Sequence, residues 1–150
     1  MCGIAGIVGP GAELMGARLQ SMMDSINHRG PDDSGVFIQN QLAIGHKRLS
    51  ILDQSKAGHN PFFSNDKKYV VVYNGEVYNY LELRKQLQSK YLFKTETDTE
   101  VVLAAYIVWG EKCVEKFVGM FSFVIWDSVK NQVFGSRDRF GIKPFFYTFS

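Results

Sequence analysis

An apolar, glycine-dotted run, Cys2-Gly3-Ile4-Ala5-Gly6-Ile7-Val8-Gly9, starts at the second residue of the chain and is closed by Gly9-Pro10-Gly11. It reads as a short buried strand over residues 2–8, so any fold must draw its own N-terminus inward. That constraint gives Cys2 a particular chemical position. A small side chain in second position ordinarily lets Met1 be removed, and Cys2 then carries a thiol and a free α-amine on one residue. An α-amine with an ordinary pKa of about 7.7–8.0 is partly neutral near pH 7. It can take the thiol proton, directly or through a water, and later return one to a leaving amine. The plainer reading is a small hydrophobe at the start of a strand, a common fate of free cysteine.

With 150 residues, 45% hydrophobic and 14% aromatic, the chain can build one domain with a proper core. Seventeen basic and fifteen acidic residues leave a net charge of +2. Lys and Arg are scattered, with short pairs at Lys47-Arg48 and Lys67-Lys68, which argues against a nucleic-acid surface. Cys2 and Cys113 lack the spacing of a disulfide framework or a metal site, and His28, His46 and His59 add none. A reducing, cytoplasmic setting without a bound metal is expected. The N-terminal run is too short to span a bilayer and has no basic residues before it, so neither a membrane segment nor a signal peptide is expected.

Apolar spacing predicts an amphipathic helix over Glu13–Ile26, with Met22 and Met23 as core filler. His28-Arg29-Gly30-Pro31-Asp32-Asp33-Ser34-Gly35 is turn chemistry. Strands follow at Gly35–Gln39 and Leu42–Leu52, then a loop over Asp53–Asn60. Lys68–Tyr73 is a strong β signal running into Asn74-Gly75. Helices are expected over Tyr80–Ser89 and Thr99–Trp109, the latter with Thr97 and Asp98 as N-cap candidates. Gly119–Trp126 and Asn131–Ser136 read as a hairpin, and Phe145–Phe149 as the start of a last strand. Antiparallel runs with grouped helices favour an α+β layered domain. A strand cut off at its end suggests a piece of something longer.

A cysteine attacking an amide needs oxyanion donors and groups that orient the substrate. The NH2 of Asn74 and the backbone N–H of Gly75 could meet at one oxygen. Asn-Gly is also the best hairpin dipeptide, although Glu76-Val77-Tyr78-Asn79-Tyr80 leads into a helix rather than a return strand. Arg48 can grip a carboxylate through two parallel hydrogen bonds. Asp98 suits an α-ammonium or, equally, an ordinary helix cap. A phosphate loop is not indicated, since no Lys-Ser or Lys-Thr follows the N-terminal glycines. His46 or His28 as base for Cys2 is the rival chemistry, with no residue evident to orient either ring.

At this point the residues resemble a family. Met1-Cys2-Gly3-Ile4-Ala5-Gly6, His28-Arg29-Gly30-Pro31-Asp32-Asp33-Ser34-Gly35 and Gly45-His46-Lys47-Arg48-Leu49-Ser50-Ile51 come first. Tyr73-Asn74-Gly75-Glu76-Val77-Tyr78-Asn79, Thr97-Asp98-Thr99-Glu100 and Arg137-Asp138-Arg139-Phe140-Gly141-Ile142-Lys143-Pro144 follow. Together they are similar to the N-terminal-nucleophile (class II, Ntn-hydrolase) type of glutamine amidotransferase domain, as found in asparagine synthetase and its relatives. The pieces stand in the family order and cover nearly the whole chain.

The resemblance implies an α+β, four-layer αββα sandwich of two antiparallel sheets, truncated at its C-terminus, with residues 1–150 as an incomplete glutaminase domain. It implies hydrolysis of glutamine to glutamate and ammonia, with Cys2 as nucleophile and its amine as base. Asn74 and Gly75 would form the oxyanion hole. Arg48, backbone groups near Leu49 and Ile51, and Glu76 and Asp98 would hold the glutamine. No cofactor is expected in this domain. ATP and Mg are expected only in a synthetase domain that this chain does not contain, which would receive the ammonia; a homodimer is a further expected partner. The acceptor could be aspartate, another acid or a sugar carboxylate, and a non-catalytic glutamine-binding or assembly module is the alternative. One departure stands out: the family commonly has Gln before the proline after its arginine strand, where this chain has Asn60 before Pro61, a shorter amide that could alter how the loop closes.

Overall fold

In the computed structural model, which describes residues 1–49 and 58–149, the N-terminal run forms β1 (Gly3–Val8). It pairs antiparallel with β3 (Leu42–Arg48), which also pairs with β2 (Asp33–Gln39), giving the order β1-β3-β2. A two-residue turn joins β2 to β3, with Asn40 at φ 50°, a left-handed conformation that asparagine tolerates. Gly3 stands opposite Lys47, and Asp33 opposite Arg48. The second sheet runs β4 (Phe62–Phe63), β5 (Tyr69–Val77), β6 (Gly119–Asp127), β7 (Gln132–Arg137), all antiparallel.

Side-chain alternation along the strands sorts the layers. One face of the first sheet, through Ala5 and Ala43, takes Leu19 and Met23 of α1 (Gly16–Ser25). Its other face, through Leu42 and Ile44, meets Val70, Val72 and Trp126 of the second sheet. The far face of that sheet, through Val71, Tyr73, Val77, Phe121, Phe123 and Ile125, is covered by α2 (Tyr80–Leu87) and α3 (Asp98–Trp109). The result is helix, sheet, sheet, helix: the αββα sandwich expected above.

The third helix is buried from Thr99 to Tyr106, and polar groups fix its start. Thr97 Oγ1 accepts the Glu100 N–H, a true N-cap. The buried Glu100 carboxylate turns back to accept the N–H of Lys94 and Thr95 and the Thr95 hydroxyl. Thr97 is therefore the cap, and Asp98, the first helical residue, is left to bond elsewhere.

Four sequence expectations differ from the structure. The first helix begins at Gly16 after a 3-10 turn at Ala12–Leu14, because glycine costs least at a helix end. β3 stops at Arg48, where the chain from Pro31 crosses it and the Asp32 N–H takes the Arg48 carbonyl. β5 continues through Asn74-Gly75 to Val77, so that dipeptide is not a turn. Phe145–Phe149 forms no strand: the Phe145 ring sits against Gly135 of β7 instead of its backbone pairing, and Phe146, Tyr147 and Phe149 are exposed.

Phe123 has no exposed surface and packs its ring against Phe117, Phe121 and Phe134. Phe123→Ala should lower unfolding free energy by about 3–5 kcal/mol. Leu14→Ala, at a residue 84% exposed, should change it by less than about 0.5 kcal/mol. Urea unfolding followed by tryptophan fluorescence checks both.

Candidate active site

The edge of β5 that faces away from β6 is covered by β4 only at Val70 and Val71. Beyond them its backbone groups have no strand beside them. Phe121, opposite Gly75 on β6, sends its N–H to Asp138 Oδ2 and its carbonyl to the Asp138 N–H. Both groups of Phe121 thus point away from β5, and Gly75–Phe121 is a non-hydrogen-bonded pair. The Gly75 N–H accordingly lies on the uncovered edge, between the Tyr73 carbonyl and the Val77 N–H. Such pairs bring backbones close together, and a Cβ on Gly75 would run into the Met120 carbonyl and Phe121 Cα. Only glycine fits. Asn74, buried, alternates with Val72 onto the face between the sheets, and its amide makes no hydrogen bond to the described residues.

A polar bond links this part of the two sheets. His46 Nε2 lies 2.9 Å from the Tyr73 carbonyl. A carbonyl only accepts, so Nε2 carries the proton and donates. His46 is buried, and burial pushes its pKa down to about 4, with the Tyr73 bond only partly countering it. Its Nδ1 is also buried and unpartnered among the described residues. With Nε2 committed to Tyr73 and burial keeping it neutral, the ring acts as a clasp between the sheets.

Around that clasp the sequence candidates fall on adjoining elements. Cys2 precedes Ile4 on the inner face of β1, and Ile4 is opposite His46. The Cys2 thiol, half-buried, approaches the Leu49 carbonyl at 3.9 Å, just past the end of β3. Arg29 Nε donates to the Cys2 carbonyl at 3.1 Å, which pins the residue's backbone. Arg48 ends β3 on the same inner face as His46 and is buried. A Cβ on Gly58 would land on its guanidinium, so Gly58 lies flat against the cation. Asn60 Nδ2 donates to the Gly58 carbonyl at 3.1 Å, and His59 Nδ1 meets Asp33 Oδ2 at 2.7 Å, anchoring this segment on β2. The shorter amide of Asn60 is thus used to bend its own loop. Ile51 lies outside the described residues.

Asp98 reaches the same strand edge from the start of α3. Its Oδ2 accepts the Tyr73 hydroxyl at 2.7 Å and the Val77 N–H at 3.1 Å. Burial raises its pKa, and these donors, with the Thr99 N–H, only partly offset that. Glu76, half-buried, alternates with Asn74 and adds a second carboxylate nearby. The structure therefore gathers Cys2, Arg48 and Leu49 at one end of the first sheet, and Asn74, Gly75, Glu76 and Asp98 along one edge of the second. His46, Gly58 and Tyr73 were missed as site-building residues. The alternation Ile44-His46-Arg48 signalled His46, whereas nothing local signalled Gly58.

Among the described residues no group of three or more His, Cys, Asp or Glu side chains gathers to hold a metal ion. No helix among them is long and apolar enough to cross a membrane.

A family model described as a glutamine amidotransferase domain matches residues 1–150. The chain is 46% identical over 152 residues to the glutamine-hydrolyzing asparagine synthetase 2 of Bacillus subtilis, covering 99% of this chain and 20% of that one. It is 42% identical over 153 residues to the same organism's glutamine-hydrolyzing asparagine synthetase 3, covering 99% of this chain and 25% of that one. The chain thus spans about a quarter or less of the length of these relatives. A solved structure of glutamine phosphoribosylpyrophosphate amidotransferase from B. subtilis, complexed with ADP and GMP, superposes with a TM-score of 0.65. That match covers 85% of this chain and 35% of the other at 20% identity, a likeness of fold.

Because His46 is neutral when folded and ordinarily basic when unfolded, the unfolded chain binds the extra proton between pH 6.5 and about 4. His46 therefore contributes full stability above pH 6.5 and loses it as pH falls through that window, by up to ~3 kcal/mol. His46→Gln, whose amide can still donate to Tyr73, should flatten the acid-side fall in stability. Urea unfolding at a series of pH values measures this.

Proposed function

The chain belongs to the family of glutamine amidotransferase domains, and from that premise we propose that it hydrolyses glutamine to glutamate and ammonia once Met1 is removed. The observation that carries the reading is the uncovered edge of β5. It offers the Gly75 N–H beside the Asn74 amide, while the N-terminal strand carries a half-buried thiol on the first sheet.

In this reading the freed α-amine of Cys2 accepts the thiol proton as sulfur bonds to the side-chain carbonyl carbon of glutamine. The developing oxyanion takes hydrogen bonds from Gly75 N–H and Asn74 NH2. Such donors count because they are fixed before charge develops. Collapse passes the proton from the α-ammonium to the leaving nitrogen and expels ammonia, leaving a thioester. Water, deprotonated by the same amine, adds to the thioester. A second collapse returns the thiol and releases glutamate.

Substrate orientation follows from charge. Arg48 holds the α-carboxylate through a planar, two-bond grip, with backbone groups near Leu49 and Ile51 alongside. Asp98 and Glu76 hold the α-ammonium. The bound ammonium favours the ionised form of Asp98, which burial otherwise opposes. Ammonia formed next to bulk water would be protonated and lost as a nucleophile. Its consumer is therefore proposed to be an ATP-dependent, asparagine synthetase-like site in the remainder of the parent protein or on a partner. ATP and Mg belong to that site, and this domain needs no cofactor. A cytoplasmic setting suits a reduced thiol.

Cys2→Ala should abolish glutamine hydrolysis with folding retained. Asn74→Ala should lower kcat by about 10²–10³-fold. Arg48→Lys should chiefly raise KM, since a point charge cannot reproduce the fork. A form that keeps Met1 should be inactive. Labelling with 6-diazo-5-oxo-norleucine followed by mass spectrometry should modify Cys2. Binding of glutamine without labelling or turnover would indicate a non-catalytic binding module instead.

A further inference from the structure

Lys143 is 5% exposed, yet no carboxylate among the described residues lies within ion-pair distance of its ammonium. Its Nζ instead meets Met1 Sδ at 3.3 Å. A thioether is a weak acceptor, and burying a cation against one is costly unless a better partner arrives. The segment that aims Lys143 is well fixed. Asp138 accepts the N–H of Phe121, Ile142 and Lys143, so Lys143 is tied to the strand that backs Gly75. Both ends of the lysine are thus placed: its backbone against β6, and its ammonium against the residue bonded to Cys2.

We propose that Lys143 tunes the base: with Met1 removed, its ammonium faces the freed α-amine of Cys2 and holds that amine neutral. This rests on the reading of Cys2 as a trimmed N-terminal nucleophile. The lone pair of a neutral amine accepts from the ammonium, whereas a protonated amine meets a like charge. The other charged groups around Cys2 act mostly in the same direction. Arg29 donates to the Cys2 carbonyl, Arg48 ends the neighbouring strand, and Lys47 stands opposite Gly3. Asp138 has its oxygens occupied by backbone N–H groups, while Glu76 lies on the second sheet and Asp98 at the start of α3. Lys143 is thus a tuning group acting on the base, and it takes no proton in the reaction.

The test is the pH profile of glutamine kcat/KM for the trimmed protein, beside a titration of the 15N-labelled Cys2 amine by NMR. The wild-type acidic limb and the amine should both titrate below the ordinary range of about 7.7–8.0. Lys143→Met keeps the buried stem and removes the charge. It should move both upward by about one pH unit, which is about a tenfold loss of activity on the acid side and little loss above pH 8.5. Lys143→Arg should keep the wild-type profile. An equal loss at every pH, or an unmoved amine titration, overturns the proposal and leaves the hydrolysis reading standing. If Lys143→Met does not fold, the wild-type titration decides: a value at or above the ordinary range overturns the proposal, and a lower value retained by Lys143→Arg supports it. Hydrolysis that survives Cys2→Ala defeats the reading of function, and the amine titration still reports on Lys143 independently.

Discussion

The hydrogen bond from His46 to the Tyr73 carbonyl ties the two sheets together beside the site. Elsewhere the sheets meet through side chains that tolerate sliding, namely Leu42, Ile44, Val70, Val72 and Trp126. Hydrophobic contact is non-directional, so it fixes a separation but not a register. A directed bond from a buried ring to a backbone oxygen does fix one. It sits one step beyond the apolar core, where the first sheet gives way to Cys2 and Arg48 and the second to Asn74 and Glu76. The ring is useful there because burial keeps it neutral. A charged imidazole beside Arg48 would repel it.

The uncovered edge of β5 is the second constraint. An exposed strand edge ordinarily invites unwanted pairing. Here it is divided among specific partners: β4 at Val70 and Val71, His46 at the Tyr73 carbonyl and Asp98 at the Val77 N–H. What remains between them is the Gly75 N–H. Edge protection and site construction are the same arrangement, because the groups that block pairing on either side leave one donor accessible. Glycine at that point follows from the close approach of Phe121 rather than from any need for a turn.

That distinction explains what could be read in the sequence. Strands and helices were legible from composition and caps, as in the β-branched and aromatic Lys68–Tyr73 or the apolar Thr99–Trp109 behind Thr97-Asp98, whereas the four layers followed from the family resemblance. Cys2, Arg48, Asn74 and Gly75 were legible as candidates from residue type and order. The extension of β5 through Asn74-Gly75 was not, since Asn-Gly has strong local turn chemistry and only the long pairing with β6 overrides it. Thr97 takes the cap role that Asp98 equally suits by residue type, and the link of Asp98 to Tyr73 and Val77 spans more than twenty residues, beyond any local signal. Gly58 against Arg48 and Lys143 against Met1 are likewise products of tertiary approach. Phe145–Phe149 has strand composition, but a strand needs a paired neighbour, and here the Phe145 ring rather than its backbone meets β7 at Gly135.

Charge is arranged with a polarity that matches a zwitterion. Arg29, Arg48 and Lys143 lie toward Cys2 and the end of the first sheet, while Glu76 and Asp98 lie along the second. Asp98 and Lys143 each bond to uncharged groups. Asp98 is spent on a hydroxyl and a backbone N–H rather than on a cation, and Lys143 on a thioether rather than on a carboxylate. Direct pairing of the two sets would stabilise the fold and remove the field. Holding them apart requires rigid backbone on both sides, which is what Asp138 gives Lys143 and what the start of α3 gives Asp98.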